Sequence, residues 1–280
     1  MRPQIREMSP EAGEFDEQAV RRALRDDADE ALITLAEAGA ASDAKLRSYA
    51  KRMAARVVME LTSGQVSPRR GVDRLARRPL SEGGDIDLDA SLDAVVAGRV
   101  LGEVPDPDRL VSRSWIRSTH ALSLIVDRSG SMAGERLVAA ALAAAVVACR
   151  APGDYSVLAI AGDVVVIKSQ DEERSLDAVI DDILALKGYG TTDLSLGLRA
   201  AGRQLARSRS SRRVAVLLSD AESTAGGDPL DAARQLDRLH VICPPGNEQG
   251  ARELALAGSG RSAVLARPTA IPQVMMHLVD

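Results

Sequence analysis

The chain has 280 residues, 45% of them hydrophobic, which is enough for one large domain or two modest ones around a proper buried core. With one Phe, one Trp and three Tyr, the interior has to be built from Ala, Val, Leu and Ile, favouring closely packed helices on strands over an aromatic sandwich. The net charge is −4, and the cationic residues are almost all arginine (the lysines are Lys45, Lys51, Lys168 and Lys187); a nucleic-acid binder wants a basic face interleaved with aromatic rings, so that class is disfavoured.

Residues 1–10 have no apolar core of the kind a signal peptide carries, so the chain is expected to stay in the cytoplasm. Residues 16–61 read as two helices separated by the breaker-rich segment 39–42. In the second, Leu46, Ala50, Met53, Val57 and Leu61 recur at spacings of three and four and share one face. Residues 62–107 read as a connector with one short helix near 92–100, a basic run at 69–78 and the acidic alternation Asp85, Asp87, Asp89. A calcium loop starting at Asp85 is rejected, because its sixth position is Ala90 instead of Gly and its twelfth is Val96 instead of Glu. Both charged runs read as solvated surface. The expected division is therefore a helical region with connector over 1–110 and a main domain over 119–280.

From Thr119 onward, apolar runs alternate with helical stretches. Strands are predicted at 121–126, 155–161, 213–218, 239–243 and 262–266, each continuous enough in hydrophobicity to be covered on both faces. Helices are predicted near 135–150, 174–187, 194–208, 228–238, 248–257 and 270–279. The longest apolar run, 137–149, is shorter than the ~20 residues that a membrane span needs and reads as a buried helix. This alternation is the pattern of a doubly wound, mostly parallel α/β sheet. Between 155–161 and 164–168 stand only Gly162 and Asp163, which suit a hairpin and leave no room for a crossover helix, so 164–168 is expected as an antiparallel edge strand. Cys149 and Cys243 lie far apart in apolar contexts and read as buried thiols.

In doubly wound sheets ligands collect in the loops beyond the carboxyl ends of the strands. Just after the first main-domain strand stand Asp127, Ser129 and Ser131, a carboxylate and two hydroxyls on alternate residues, with Gly130 between the serines to let the chain bend. Thr191 and Thr192 follow a glycine turn before the helix at 194, and Asp220 ends the strand at 213–218. Five oxygen-bearing side chains from three loops suit a hard divalent cation, which wants about six oxygen ligands.

The stretches LIVDRSGSM, GTTDLSLGL and VLLSDAEST, in that order, resemble the metal-ion-dependent adhesion site of von Willebrand factor A (VWA) domains. The resemblance covers residues 119–280 and implies a six-stranded Rossmann-like sheet in the order 3-2-1-4-5-6. It also implies Mg2+ or Mn2+ held by Asp127, Ser129, Ser131, Thr192 and Asp220, directly or through water. Thr191 is an alternative to Thr192. Ala221 departs from the family pattern, in which Gly commonly follows the third-motif Asp. The implied role is protein binding, with a partner's Glu or Asp entering the open metal position. The segment GGDIDLDASLDAVV resembles the one that precedes this domain in MoxR-associated and CoxE-like bacterial proteins and, more distantly, in magnesium chelatase D subunits. Those relatives work beside an AAA+ ATPase. This chain has no GxxxxGK[ST], so a MoxR-type ATPase has to be a separate partner.

The competing reading of Asp127, Ser129 and Ser131 is helix capping, which also suits Asp193 ahead of the helix at 194. Enzyme readings fare worse: a dehalogenase-type phosphatase needs an acid where Ser129 stands, no Gly-x-Ser-x-Gly elbow is present, and a two-metal hydrolase needs more than two carboxylates. The expectation is a non-catalytic adaptor that contacts neither membrane nor nucleic acid, with a metal-dependent hydrolase or chelatase-type subunit as the alternative.

Overall fold

A computed structural model describes residues 17–38, 57–58, 61–62, 74–80, 85–101, 110–116, 120–128, 134–188 and 190–279. They fall into two compact units: Met1–Pro68 together with His120–Asp280, and Arg69–Thr119. This grouping differs from the expected division into 1–110 and 119–280. The physical reason lies in two N-terminal helices, α1 (Glu17–Asp26) and α2 (Ala28–Ala38). Leu32, Ile33 and Leu35 of α2 share the core of the main sheet. The Asp29 carboxylate accepts from both the backbone N–H (2.8 Å) and the hydroxyl (2.9 Å) of Thr269, 240 positions away. The break between α1 and α2 falls at Asp27, whose Oδ1 accepts from the N–H of Glu30 as an N-cap does. The predicted break at 39–42 and most of the predicted second helix lie outside the described residues.

The smaller unit replaces the expected connector. It holds β1 (Arg74–Pro79), β2 (Asp85–Ile86), α3 (Leu88–Leu101) and β3 (Val111–Ile116), with β3 central and antiparallel to both neighbours. Part of the basic run is thus strand β1. Asp87 is buried and caps α3 through the N–H of Ala90 (3.2 Å), so the acidic alternation is not all solvated. The Ser91 hydroxyl donates to the Val111 carbonyl and accepts from the Val111 N–H, fastening α3 to β3.

The main unit continues with β4 (His120–Asp127), α4 (Glu135–Arg150), β5 (Tyr155–Ile160), β6 (Val164–Lys168), α5 (Leu176–Leu184), α6 (Leu194–Leu205), β7 (Arg212–Leu218), α7 (Pro229–Arg234), β8 (Leu239–Cys243), α8 (Glu248–Ala257), β9 (Ser262–Val264), a 3-10 turn (Pro268–Ala270) and α9 (Ile271–Val279). The six strands lie in the order β6-β5-β4-β7-β8-β9, parallel throughout except for the β5/β6 hairpin. This is the expected order, with the antiparallel strand at the expected edge. Side chains of β4 alternate between two cores: Leu122, Leu124 and Val126 enter one with α4, α5 and α9, while Ala121 and Ile125 enter the other with α6, α7 and α8. Small residues set the spacing between layers. Ala139 to Ala145 of α4 are buried, and a Cβ on Gly197 of α6 would stand 2.7 Å from Cγ2 of Ile160.

Both cysteines are free; Cys243 is buried, Cys149 only partly, and burial pushes both thiols above their ordinary value. Among the described residues no helix is long and apolar enough to cross a membrane.

Candidate metal centre

Because β4 and β7 run parallel, their carboxyl ends open on one edge of the sheet, where Asp127 of the first motif and Asp220 of the third stand. Asp127 is the last residue of β4 and is 3% exposed. Its Oδ2 accepts a 2.6 Å hydrogen bond from the hydroxyl of Ser219, the residue directly after β7. Arg128 turns away: its N–H bonds the Ile160 carbonyl and its guanidinium pairs with Asp163 in the β5–β6 turn. Ser129 and Ser131 lie outside the described residues.

The β7 exit is held tightly. Ser219 donates its backbone N–H to Ile242 of β8 (3.2 Å), and its hydroxyl also accepts from the N–H of Ala221 at 3.0 Å. Ala221 sits at φ 61°, in the left-handed region that favours glycine. The Gly-like conformation is therefore retained without the glycine. Asp220 Oδ1 accepts from the N–H of Glu222 (3.2 Å), and Oδ2 stands 3.7 Å from the Arg136 guanidinium on the first turn of α4. Asn247 at the start of α8 donates to Glu222 (2.8 Å) and fastens the loop from the far side.

Thr192 reaches this edge through its backbone. Its N–H donates to the hydroxyl of Thr224 (2.9 Å), and its carbonyl accepts from the N–H groups of Thr224 (3.0 Å) and Ala225 (3.1 Å). The next residue, Asp193, donates its N–H to Ala161 at the end of β5 (2.9 Å) and caps α6 through Leu196 (2.9 Å). The second motif is thus strapped between the ends of β5 and β7. Thr192 is buried at 3% exposure, whereas Thr191 is exposed and packs its hydroxyl beside Gly162, where an added Cβ would approach to 3.2 Å. Thr191 thus stands beside the hairpin turn, and Thr192 is the buried residue of the pair.

Asp127 and Asp220 line one cleft of about 140 Å³ between α4, the ends of β7 and β8, and the segment leading into α9. Thr192 is joined to them by the 219–225 loop and does not line that cleft. Among the described residues no three His, Cys, Asp or Glu side chains are placed to hold a metal together. Asp127 and Asp220, supplemented by hydroxyl and water oxygens, would make an all-oxygen donor set of the kind that hard divalent ions take. Ser219 is the residue that sequence reading passed over. Its only signal was its place beside Asp220, and its role depends on a contact 92 positions away.

The model of the family described as VWA domain containing CoxE-like protein matches residues 50–245, more than half of the chain. The chain belongs to this CoxE-like VWA family. Membership is consistent with a protein-interaction module. Solved structures similar to this CoxE-like protein include a von Willebrand factor type A protein from Catenulispora acidiphila (21% identity, TM-score 0.47, covering 60% of this chain and 43% of that one). A second is an aerotolerance-related membrane protein from Bacteroides fragilis (15% identity, TM-score 0.44, 58% and 98%). A third is proximal thread matrix protein 1 from the mussel byssus with a zinc occupied MIDAS motif (12% identity, TM-score 0.48, 58% and 47%). The chain spans less than half the length of the first and third of these. No curated protein matches it.

Proposed function

We propose that this CoxE-like VWA protein is a metal-ion-dependent protein-binding adaptor, acting in the cytoplasm by binding and not by turnover. Asp127, Ser129, Ser131, Thr192 and Asp220 hold Mg2+ or Mn2+, directly or through water. The observation that carries the reading is the Ser219–Asp127 hydrogen bond, which joins the first and third motifs beside the cleft that Asp127 and Asp220 both line. Ser219 orients the Asp127 carboxylate, the Glu222 N–H orients that of Asp220, and the strap on Thr192 fixes the middle loop against the loop after β7. When bound, the ion supplies an electrophilic position for a carboxylate from a partner protein, because neutral hydroxyl ligands leave much of its charge uncompensated. By family analogy the partners include a separate MoxR-type AAA+ ATPase, and the complex remodels a target or inserts a metal cofactor.

The test is titration of Mn2+ into the protein, followed by loss of the free-ion EPR signal. One bound ion is expected, displaced by Mg2+ and abolished by Asp127→Ala in a variant that keeps the wild-type circular dichroism. Wild-type protein that leaves the free-ion signal unchanged overturns the metal assignment. A protein partner retained from lysate in Mg2+ and released by EDTA supports the adaptor role, and equal retention in both removes the ion from it.

A further inference from the structure

The cleft that holds Asp127 and Asp220 has a second character. Beyond the carboxylates its wall is apolar, formed by Ala139 on α4, Leu218 at the end of β7, Ile242 on β8, and Leu265 and Pro268 ahead of α9. Ala139, Leu218 and Ile242 stand on a helix and two strands, so that part of the lining needs little ordering when a ligand enters. The space exists because α4 presents alanine at position 139, in a helix whose inner residues are largely alanine. An apolar cavity of roughly 150 Å³ takes up a benzene molecule, so the 140 Å³ here matches one leucine or phenylalanine side chain.

The mouth carries the opposite preference. Arg136 stands on one side, loosely paired to Asp220 at 3.7 Å. Arg267 lines the cleft too, exposed and without an ion pair or hydrogen bond to its side chain among the described residues. Glu135 lines the cleft as well, so the two guanidinium groups face three carboxylates, and it is with a divalent cation bound that the balance turns toward an anionic ligand.

We infer that the cleft is a specificity pocket for a partner segment in which a bulky aliphatic or aromatic residue adjoins the acidic residue that engages the metal. The acid's role rests on the metal-dependent reading above; the pocket's apolar preference rests on its lining. The acid and the apolar group have to be neighbours, because the carboxylates and the apolar wall line the same small cleft. Arg267 adds positive charge at the cleft, and Ala139 sets how large an apolar group fits.

The experiment compares acetyl-Asp-Leu-amide, acetyl-Asp-Phe-amide and acetyl-Asp-Ala-amide binding to the full chain, by NMR titration in Mg2+ and again in EDTA. The Leu or Phe peptide is expected to bind about tenfold or more tightly than the Ala peptide, the discrimination typical of a few methylenes in an apolar pocket. Shifts should centre on Ala139, Leu218 and Ile242. Ala139→Leu should erase that ratio while Mn2+ binding persists, and Arg267→Glu should weaken all three peptides alike. Equal affinities in both buffers, no binding at all, or a ratio that survives in folded Ala139→Leu overturns the pocket. If that variant does not fold, the wild-type ratio decides. The metal reading is judged separately by EPR: Mn2+ bound with no apolar preference sinks the pocket alone, and an apolar preference without Mn2+ sinks the metal alone.

Discussion

The Ser219 hydroxyl donates to the buried carboxylate of Asp127 across 2.6 Å, linking the ends of two neighbouring parallel strands whose sequences are 92 positions apart. A hydrogen bond to a charged, buried acceptor contributes more than a neutral one. Ser219→Ala is therefore expected to lower stability by about 2 kcal/mol in urea denaturation, and to weaken Mn2+ binding because Asp127 loses its orienting donor. Ser219→Thr, which keeps the hydroxyl, should restore much of both. Unchanged stability and unchanged Mn2+ affinity in Ser219→Ala would show that the bond plays no part in either.

Ala221 is held at φ 61° by its N–H bond to Ser219. An L-residue with a Cβ pays a steric penalty there that glycine avoids, partly offset by the greater freedom glycine has in the unfolded chain. Ala221→Gly is expected to raise stability by up to about 1 kcal/mol, visible as a higher melting temperature. A lower melting temperature would place the importance of Ala221 in its methyl contact near α8.

His240 on β8 is 1% exposed, and its Nδ1 accepts from the N–H of Arg261 at 3.0 Å, which requires a neutral ring on that side. Burial, reinforced by the guanidinium groups of Arg261, Arg238 and Arg212, pushes its pKa down to about 4. With the folded value below the unfolded one near 6.5, its contribution is fully present above about pH 6.5 and is lost as pH falls through 4. The expected loss over that window is at most roughly 3 kcal/mol. His240→Gln should flatten the slope of stability against pH between 6.5 and 4, and an unchanged slope would assign the acid sensitivity to other groups.

Gly226 combines φ 86° with a position where an added Cβ would fall 2.1 Å from the Asp193 carboxylate. Gly226→Ala must shift either the loop or the α6 cap, and Thr224 and Ala225, which strap Thr192, move with it. A loss of about 1–3 kcal/mol is expected, the range for strained or overpacked sites, together with weaker Mn2+ binding. Wild-type stability in this variant would mean that the loop has room the structure does not show.

The inner strands β4, β5, β7 and β8 were legible because they are buried on both faces over most of their length, and burial of that kind writes itself into the chain as a continuous apolar run. The hairpin was legible for a simpler reason, that Gly162 and Asp163 leave no length for a helix. The sheet of the smaller unit was not. Its strands β1 and β3 are rich in arginine and serine and pair across more than thirty residues, so no local periodicity marks them. Asp87 looked like one of three solvated acids because a cap differs from a surface carboxylate only in what lies three residues on.

The sequence by itself determined the alternation of strands and helices in the main sheet and its antiparallel edge, since these follow from local hydrophobic pattern and chain length. Only the tertiary structure decided that Ser219 serves Asp127, that Thr192 is buried while Thr191 faces the hairpin turn, that α2 belongs to the main core, and that an apolar cleft adjoins the two carboxylates. Each of these depends on groups far apart in the chain meeting in space, and the direction of a side chain at such a meeting is set by packing that no stretch of neighbouring residues encodes.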